Sequence, residues 1–233
     1  MSHRYGDDPS QFGELFAPDC DGPFPVAVVL HGGFWRAHYS RKLMWAVCGD
    51  LAARGWTAFN LEYRRLGFGS GGGWPATFDD VRAGMAAAAA LPGVDASRLV
   101  VLGHSAGGQL ALWAAAQEEL GVRAAISQAG VADLGLAWDL GLSRTVVRDL
   151  LGDDRERLAQ ASPRALAPLG LPSLAIHGAL DEIVPVAVAQ SFADADPDCE
   201  LRVLEGEDHF GHIDPANALW RTAADWLEPW RTA

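Results

Sequence analysis

The chain is poor in cysteine and in positive charge, and it has no long apolar run. Each scarcity removes a class of protein. The three cysteines, Cys20, Cys48 and Cys199, are an odd number with no close pair. Neither a disulfide framework nor a zinc knuckle is therefore expected, and a reducing, cytoplasmic setting is the default. Eighteen Lys and Arg stand against 30 Asp and Glu, a formal net charge of −12. That balance argues against nucleic acid, which needs clustered cations, and against anionic membrane surfaces. The acidity is read as serving solubility. No stretch approaches the roughly 18–20 apolar residues needed to span a bilayer. The alanine-rich run from Ala86 to Leu91 is too short and reads as part of a soluble helix. The opening residues, Met1 to Asp8, are polar and lack the basic-then-apolar order of a signal peptide. There is no internal repeat and no low-complexity linker.

What remains is a chain of 233 residues, 49% hydrophobic, of the size and composition of one α/β domain with a full core. Strand-like and helix-like patterns alternate along it. Val26–Leu30 is a short apolar run bounded by Pro25 and Gly32-Gly33. Ser40–Arg54 carries Leu43, Val47 and Leu51 at helical spacing, closed by Gly55. Thr57–Tyr63 reads as a second strand, and 67–75 as a glycine-rich loop. Thr77 and Asp80 suggest a capping box for a helix reaching about Ala90. Leu99–Leu102, Ala124–Ser127, Ser173–Ile176 and Leu201–Leu204 are further strands, and Val186–Ala193 a helix. Asp214-Pro215 is expected to cap a last helix with Ala216, Leu219, Trp220, Ala223, Trp226 and Leu227 on one stripe. Short, fully apolar strands alternating with helices predict an α/β fold with a mostly parallel central sheet covered by helices on both faces. Residues 131–172 break the rhythm. They hold no good strand but several short helical patterns and an apolar set, Leu134, Leu136, Trp138, Leu140 and Leu142. A small cap inserted between two strands is expected there, core filling being the alternative. An exposed tryptophan such as Trp230 is compatible with a homodimer contact without establishing one.

The chemistry centres on Gly103-His104-Ser105-Ala106-Gly107, which follows an apolar strand and opens a helix. G-x-S-x-G in that context is a nucleophile elbow: a sharp turn that lifts a serine Oγ above the end of a parallel sheet. A serine hydroxyl is a weak nucleophile. It needs a base within hydrogen-bond reach, and the base needs an orienting carboxylate. In such folds the chain order is Ser, then Asp or Glu, then His. Asp181, in the loop after the Ser173–Ile176 strand, is the expected acid, with Glu182 as fallback. His209, in Asp208-His209-Phe210 after the last strand, is the expected base, with His212 as the alternative. The H-x-x-H spacing of that pair is not taken as a metal site, because no third ligand is linked to it. The tetrahedral intermediate needs preorganised N–H donors. Ala106 supplies one, and Gly33 is the first choice for another, with Gly32 or Phe34 beside it. Phe34, Trp35 and Trp138 are the candidate substrate-contacting side chains, with Trp35 also suited to packing the loop. Arg64 and Arg65 either reach the site or pair with Asp79 or Asp80.

With these residues in hand, the chain resembles the α/β-hydrolase superfamily over nearly its whole length. His31-Gly32-Gly33-Phe34-Trp35 is similar to the HGGxW signature of kynurenine formamidases (arylformamidases) and related carboxylesterases. Glu62-Tyr63-Arg64-Arg65, Gly72-Gly73-Trp74-Pro75, Gly103–Gly108 and Asp208-His209-Phe210 look like the same group. The resemblance implies a Ser105–Asp181–His209 triad, no cofactor, no metal, and hydrolysis of a small-molecule ester or aryl formamide such as N-formylkynurenine through an acyl-enzyme. The segment before Phe24 is short, so the first hairpin of larger members should be reduced to something like Phe12–Phe16. The lack of a propeller or other exosite argues against a peptidase. The rival from another class is a small-molecule receptor on the same fold.

Overall fold

The computed structural model describes residues 2–232. Eight strands form one sheet: β1 (Ser2–Arg4), β2 (Phe12–Phe16), β3 (Phe24–Leu30), β4 (Thr57–Leu61), β5 (Val94–His104), β6 (Ala124–Gln128), β7 (Ser173–Gly178) and β8 (Cys199–Leu204), in the spatial order β1-β2-β4-β3-β5-β6-β7-β8. β1 and β2 run antiparallel at one edge, and every pairing from β4 to β8 is parallel. The reduced hairpin expected near Phe12–Phe16 is β2 itself, with β1 added outside it.

The middle of the sheet is buried because its strands are largely apolar on both faces. Along β3, Val26, Val28 and Leu30 point into one core and Ala27 and Val29 into the other. The first core is covered by α2 (Ala76–Ala89), α3 (Ala106–Ala115) and α8 (Val186–Ala193), through Phe78, Met85, Leu110 and Phe192 among others. The second is covered by α1 (Trp45–Ala53) and α9 (Ala218–Thr232), through Val47, Leu51, Trp220 and Leu227. The segment between β6 and β7 folds into α4 (Leu134–Asp139), α5 (Val146–Leu151), α6 (Leu158–Ala161) and α7 (Pro163–Leu166). Its Leu134, Ala137, Val146, Leu150 and Ala161 join the first core. No helix among the described residues is long and apolar enough to cross a membrane.

Four local expectations are corrected. The helix expected from Ser40 begins as a 3-10 turn at Arg41–Met44 before α1. Thr77 and Asp80 do not cap α2. Thr77 Oγ1 accepts from the Gly73 amide at 2.9 Å and donates to the Arg64 carbonyl at 2.6 Å, and Asp80 takes the Arg64 guanidinium at 2.6 Å. Asp214-Pro215 forms a turn ahead of α9. Asn217 Oδ1 accepts the Leu219 amide at 2.7 Å in the place a cap would occupy, and Ala216 lies outside the helix. Trp230 is half-buried, its ring 4.4 Å from that of Trp226, so it is not a free surface tryptophan.

Candidate active site

β5 ends at His104, and α3 begins at Ala106. Ser105 between them holds φ 55° and ψ −118°, a conformation that costs a non-glycine residue on the order of 1–3 kcal/mol. The turn closes only because its neighbours lack side chains. A Cβ on Gly103 would sit 2.2 Å from the Gly107 carbonyl oxygen, and one on Gly107 would sit 2.1 Å from that of Leu30. The Ser105 amide donates to the Gln128 carbonyl at 2.8 Å, tying the elbow to β6.

Asp181 lies in the turn after β7. Its Oδ1 accepts the amides of Ile183 at 2.8 Å and Val184 at 2.9 Å, and its Oδ2 accepts His209 Nδ1 at 2.6 Å. Burial opposes its charge, but hydrogen bonds from His177, His209 and the Val184 amide outweigh it. They hold the carboxyl well below the usual carboxylate range. Glu182 is exposed, and it is not a partner of His209. His209 follows β8, and its backbone carbonyl accepts His104 Nε2 at 2.9 Å. Burial, with the adjacent His209 ring, pushes His104 down to about 3, so it stays uncharged at neutral pH. His212 is fully buried, neither ring nitrogen having a hydrogen-bond partner among the described residues, and burial holds its pKa well below the usual imidazole value.

Ser105 and His209 share one small cleft of about 100 Å³, lined also by Gly33, Phe34, Tyr39, Leu43, His104, Ile183, Phe210 and Ile213. Apart from Ser105, the two imidazoles and the Tyr39 hydroxyl, the lining is apolar. Gly33 has φ 108°, and a Cβ there would lie 2.3 Å from Tyr39 Cβ. Phe34 and Trp35 also have positive φ, both 54°, so three successive residues bend the chain round the elbow. A Cβ on Gly32 would come within 3.0 Å of Ser105 Cβ. The amide of Ala106 stands at the start of α3, where first-turn N–H groups have no partner within the helix.

The three expected substrate-contacting side chains separate. Phe34 lines the cleft. Trp35 does not: it is fully buried, and its indole donates to Gln109 Oε1 at 3.1 Å, which ties the loop to α3. Trp138 lies outside the cleft as well, half-buried under the guanidinium groups of Arg148 at 5.7 Å and Arg155 at 5.6 Å. None of the cleft residues comes from 131–172. Of the apolar set there, Leu134 is buried in the first core, Leu136, Trp138 and Leu142 pack partly buried against it, and Leu140 is exposed. Arg64 and Arg65 form ion pairs with Asp80 and Glu62 and do not line the cleft.

Two polar clusters that the sequence pattern did not reveal support the site. His31 lies with Nδ1 2.7 Å from the Gly32 carbonyl and Nε2 2.8 Å from Glu62, and its ring stacks on Tyr63 at 4.5 Å. Glu62 also meets Arg65 at 3.0 Å and the Arg41 amide at 3.2 Å. Burial would raise the Glu62 pKa, but these partners lower it. The second cluster is His177 with Asp181. The available signal was a charged or imidazole side chain at the end of an otherwise apolar strand, as at 62 and 177. Among the described residues, no group of three or more His, Cys, Asp or Glu is arranged to hold a metal.

Comparison with known proteins agrees with this architecture. Esterase LipC of Mycobacterium tuberculosis is 30% identical over 217 residues, covering 82% of this chain and 53% of its own. The chain thus spans about half the length of that curated relative. Esterase B from Lactobacillus Rhamnosis superposes with a TM-score of 0.82 at 21% identity, covering 99% of this chain and 84% of that one. A truncated carbohydrate esterase from gut microbiota gives 0.81 at 20% identity, covering 100% and 97%. At these identities the two structures show the shared α/β-hydrolase fold. The profile of the prolyl oligopeptidase family matches residues 54–230, a span that includes the elbow serine, Asp181 and His209, and the chain belongs to that family.

Proposed function

We propose that the chain is a serine hydrolase acting on small, uncharged carboxylic esters, with Ser105 as nucleophile, His209 as general base and Asp181 as its orienting acid. The observation that carries this reading is the His209 Nδ1 to Asp181 Oδ2 contact of 2.6 Å, with His209 and Ser105 on the wall of one apolar cleft. A carboxylate on Nδ1 leaves Nε2 as the nitrogen that can take the Ser105 proton. Ser105 Oγ then attacks the acyl carbon, and the amides of Gly33 and Ala106, with Gly32 beside them, receive the developing oxyanion. His209 returns the proton to the leaving alcohol. A water, activated by the same imidazole, hydrolyses the acyl-enzyme and restores the serine. No step requires a cofactor.

The cleft lining favours an ester over the formamide that the HGGxW resemblance suggests. N-formylkynurenine carries an ammonium and a carboxylate, and no Arg, Lys, Asp or Glu lines the cleft. The aromatic side chains Phe34, Tyr39 and Phe210 suit an aryl or acyl group. A cleft of about 100 Å³ also suits a short acyl chain better than the two-sided fit a peptide needs.

The test compares kcat/KM for p-nitrophenyl acetate and butyrate, N-formylkynurenine and a prolyl peptide amide, with labelling by a fluorophosphonate probe. Ester turnover, and labelling that is lost in Ser105→Ala, are the expected results. Efficient formamide cleavage with weak ester turnover would move the assignment to an arylformamidase. Folded protein that neither turns over nor labels would favour a receptor.

A further inference from the structure

Asp181 Oδ2 has two imidazole nitrogens beside it. Besides His209 Nδ1, it lies 3.1 Å from His177 Nε2, and that same nitrogen is 2.8 Å from the Val184 carbonyl. A carboxylate and a carbonyl both accept, so the nitrogen between them carries the proton. The other ring nitrogen, Nδ1, is buried with no partner, which matches the tautomer with its hydrogen on Nε2. His177 is fully buried at the end of β7, four residues before Asp181 in the sequence, and it does not line the cleft. It can therefore touch the acid but not the substrate.

We propose that His177 is a positioning residue for the reaction: its Nε2–H fixes the Asp181 carboxylate in the orientation that receives His209 and takes up part of the charge on Oδ2. This rests on reading Ser105, His209 and Asp181 as a hydrolytic triad. The base must move a proton from the serine to the leaving group, and its hydrogen bond to the acid strengthens and relaxes as its charge comes and goes. With two backbone amides on Oδ1 and His177 on Oδ2, the carboxylate keeps its orientation through that cycle without help from His209. The second donor also weakens the pull of Oδ2 on the His209 imidazolium. Removing it concentrates negative charge on Oδ2, makes His209 a stronger base, and moves the acid limb of the pH–rate profile upward. Besides Asp181, the titratable side chains around His209 are those of its chain neighbour Asp208 and of His104, His212 and Tyr39. Of these, His104 and His212 also feel His177, which lowers both.

The experiment measures kcat, KM and the pH profile of p-nitrophenyl acetate hydrolysis, together with thermal unfolding, for wild type, His177→Leu and His177→Gln. Leucine fills space without a donor, whereas the glutamine amide nitrogen can stand near the Nε2 position. The expected result for His177→Leu is a fall in kcat of about 10- to 100-fold with little change in KM, the range for a lost hydrogen bond to a charged group. Its acid limb should rise by roughly half a pH unit or more, and His177→Gln should recover both. If His177→Leu does not fold, His177→Asn, whose amide is too short to reach the carboxylate, takes its place. An unmoved acid limb, or a loss that follows thermal stability alone and is not rescued by glutamine, overturns the proposal. If wild type itself neither hydrolyses the ester nor takes a fluorophosphonate, the triad reading fails first, and the proposal falls with it.

Discussion

The two sides of the cleft are held by different forces. On one side, the loop 31–35 is tied to a buried anion: Glu62 meets the His31 ring, the Arg65 guanidinium and the Arg41 amide, and Tyr63 donates to the His31 carbonyl at 2.7 Å. On the other side, Asp181 and His209 are held by imidazoles and backbone amides, and no arginine or lysine pairs with Asp181 among the described residues. The difference suits the work proposed for each side. Amides that wait for an oxyanion need only be still, and fixed charges can clamp them. A base that must become a cation would be weakened by a permanent positive charge beside it. Neutral donors hold it without that penalty.

The comparison breaks most visibly at the reacting atoms. Ser105→Ala and His209→Ala should each lower kcat by about 10⁶, and the double variant should lose little more, because the two act as a unit. Additive losses would mean that they do not. On the clamped side, Gly33→Ala places a Cβ 2.3 Å from Tyr39 Cβ at a φ of 108°, and the displaced amide should cost about 10²–10³ in kcat. A Gly33→Ala enzyme with unchanged kcat would remove this loop from the oxyanion site.

Acid should separate the two sides by stability. His104 and His212 take up protons less readily in the folded chain than at the ordinary 6.5. Their contribution is therefore whole above about pH 6.5 and lost as pH falls below it, toward about 3 for His104. Glu62 and Asp181 are held below their ordinary 4.5 and 3.8, so their contribution is whole above those values and lost only beneath them. Calorimetry should show Tm already falling between about pH 6.5 and pH 5, and His212→Phe should flatten that upper phase. A Tm that stays level until the carboxylates titrate would contradict the assignment. The smallest effect is expected outside the cleft: Trp138→Ala should leave kcat/KM within about 3-fold, since losing surface packing removes no contact with the reacting groups.

Much of this was legible in the sequence, for stated reasons. Short, largely apolar runs marked β3 to β7, and the glycines of 103–107 marked a turn that tolerates no other residue at 103 or 107. The order of serine, aspartate and histidine pointed to the residues that the fold gathers at the ends of β5, β7 and β8. What pattern does not carry is where a polar side chain finds its partner. β1 is an exposed edge strand without apolar alternation. Thr77 and Asp80 have capping spacing, yet the Arg64 segment, distant in sequence, claims both. Trp35 could be read as packing the loop or as a substrate contact, and only the bond of its indole nitrogen to Gln109 on α3 decides for packing. His31–Glu62 and His177–Asp181 depend on register between strands, which spacing along one strand cannot report.

The backbone at residue 105 has a wider consequence. An L-serine at φ 55° and ψ −118° occupies ground that glycine reaches freely. The fold would be more comfortable with glycine there, by roughly 1 kcal/mol or more. Thermal stability alone would thus steer the chain toward losing its hydroxyl, and screening variants for heat resistance without an activity readout would be expected to retrieve inert protein.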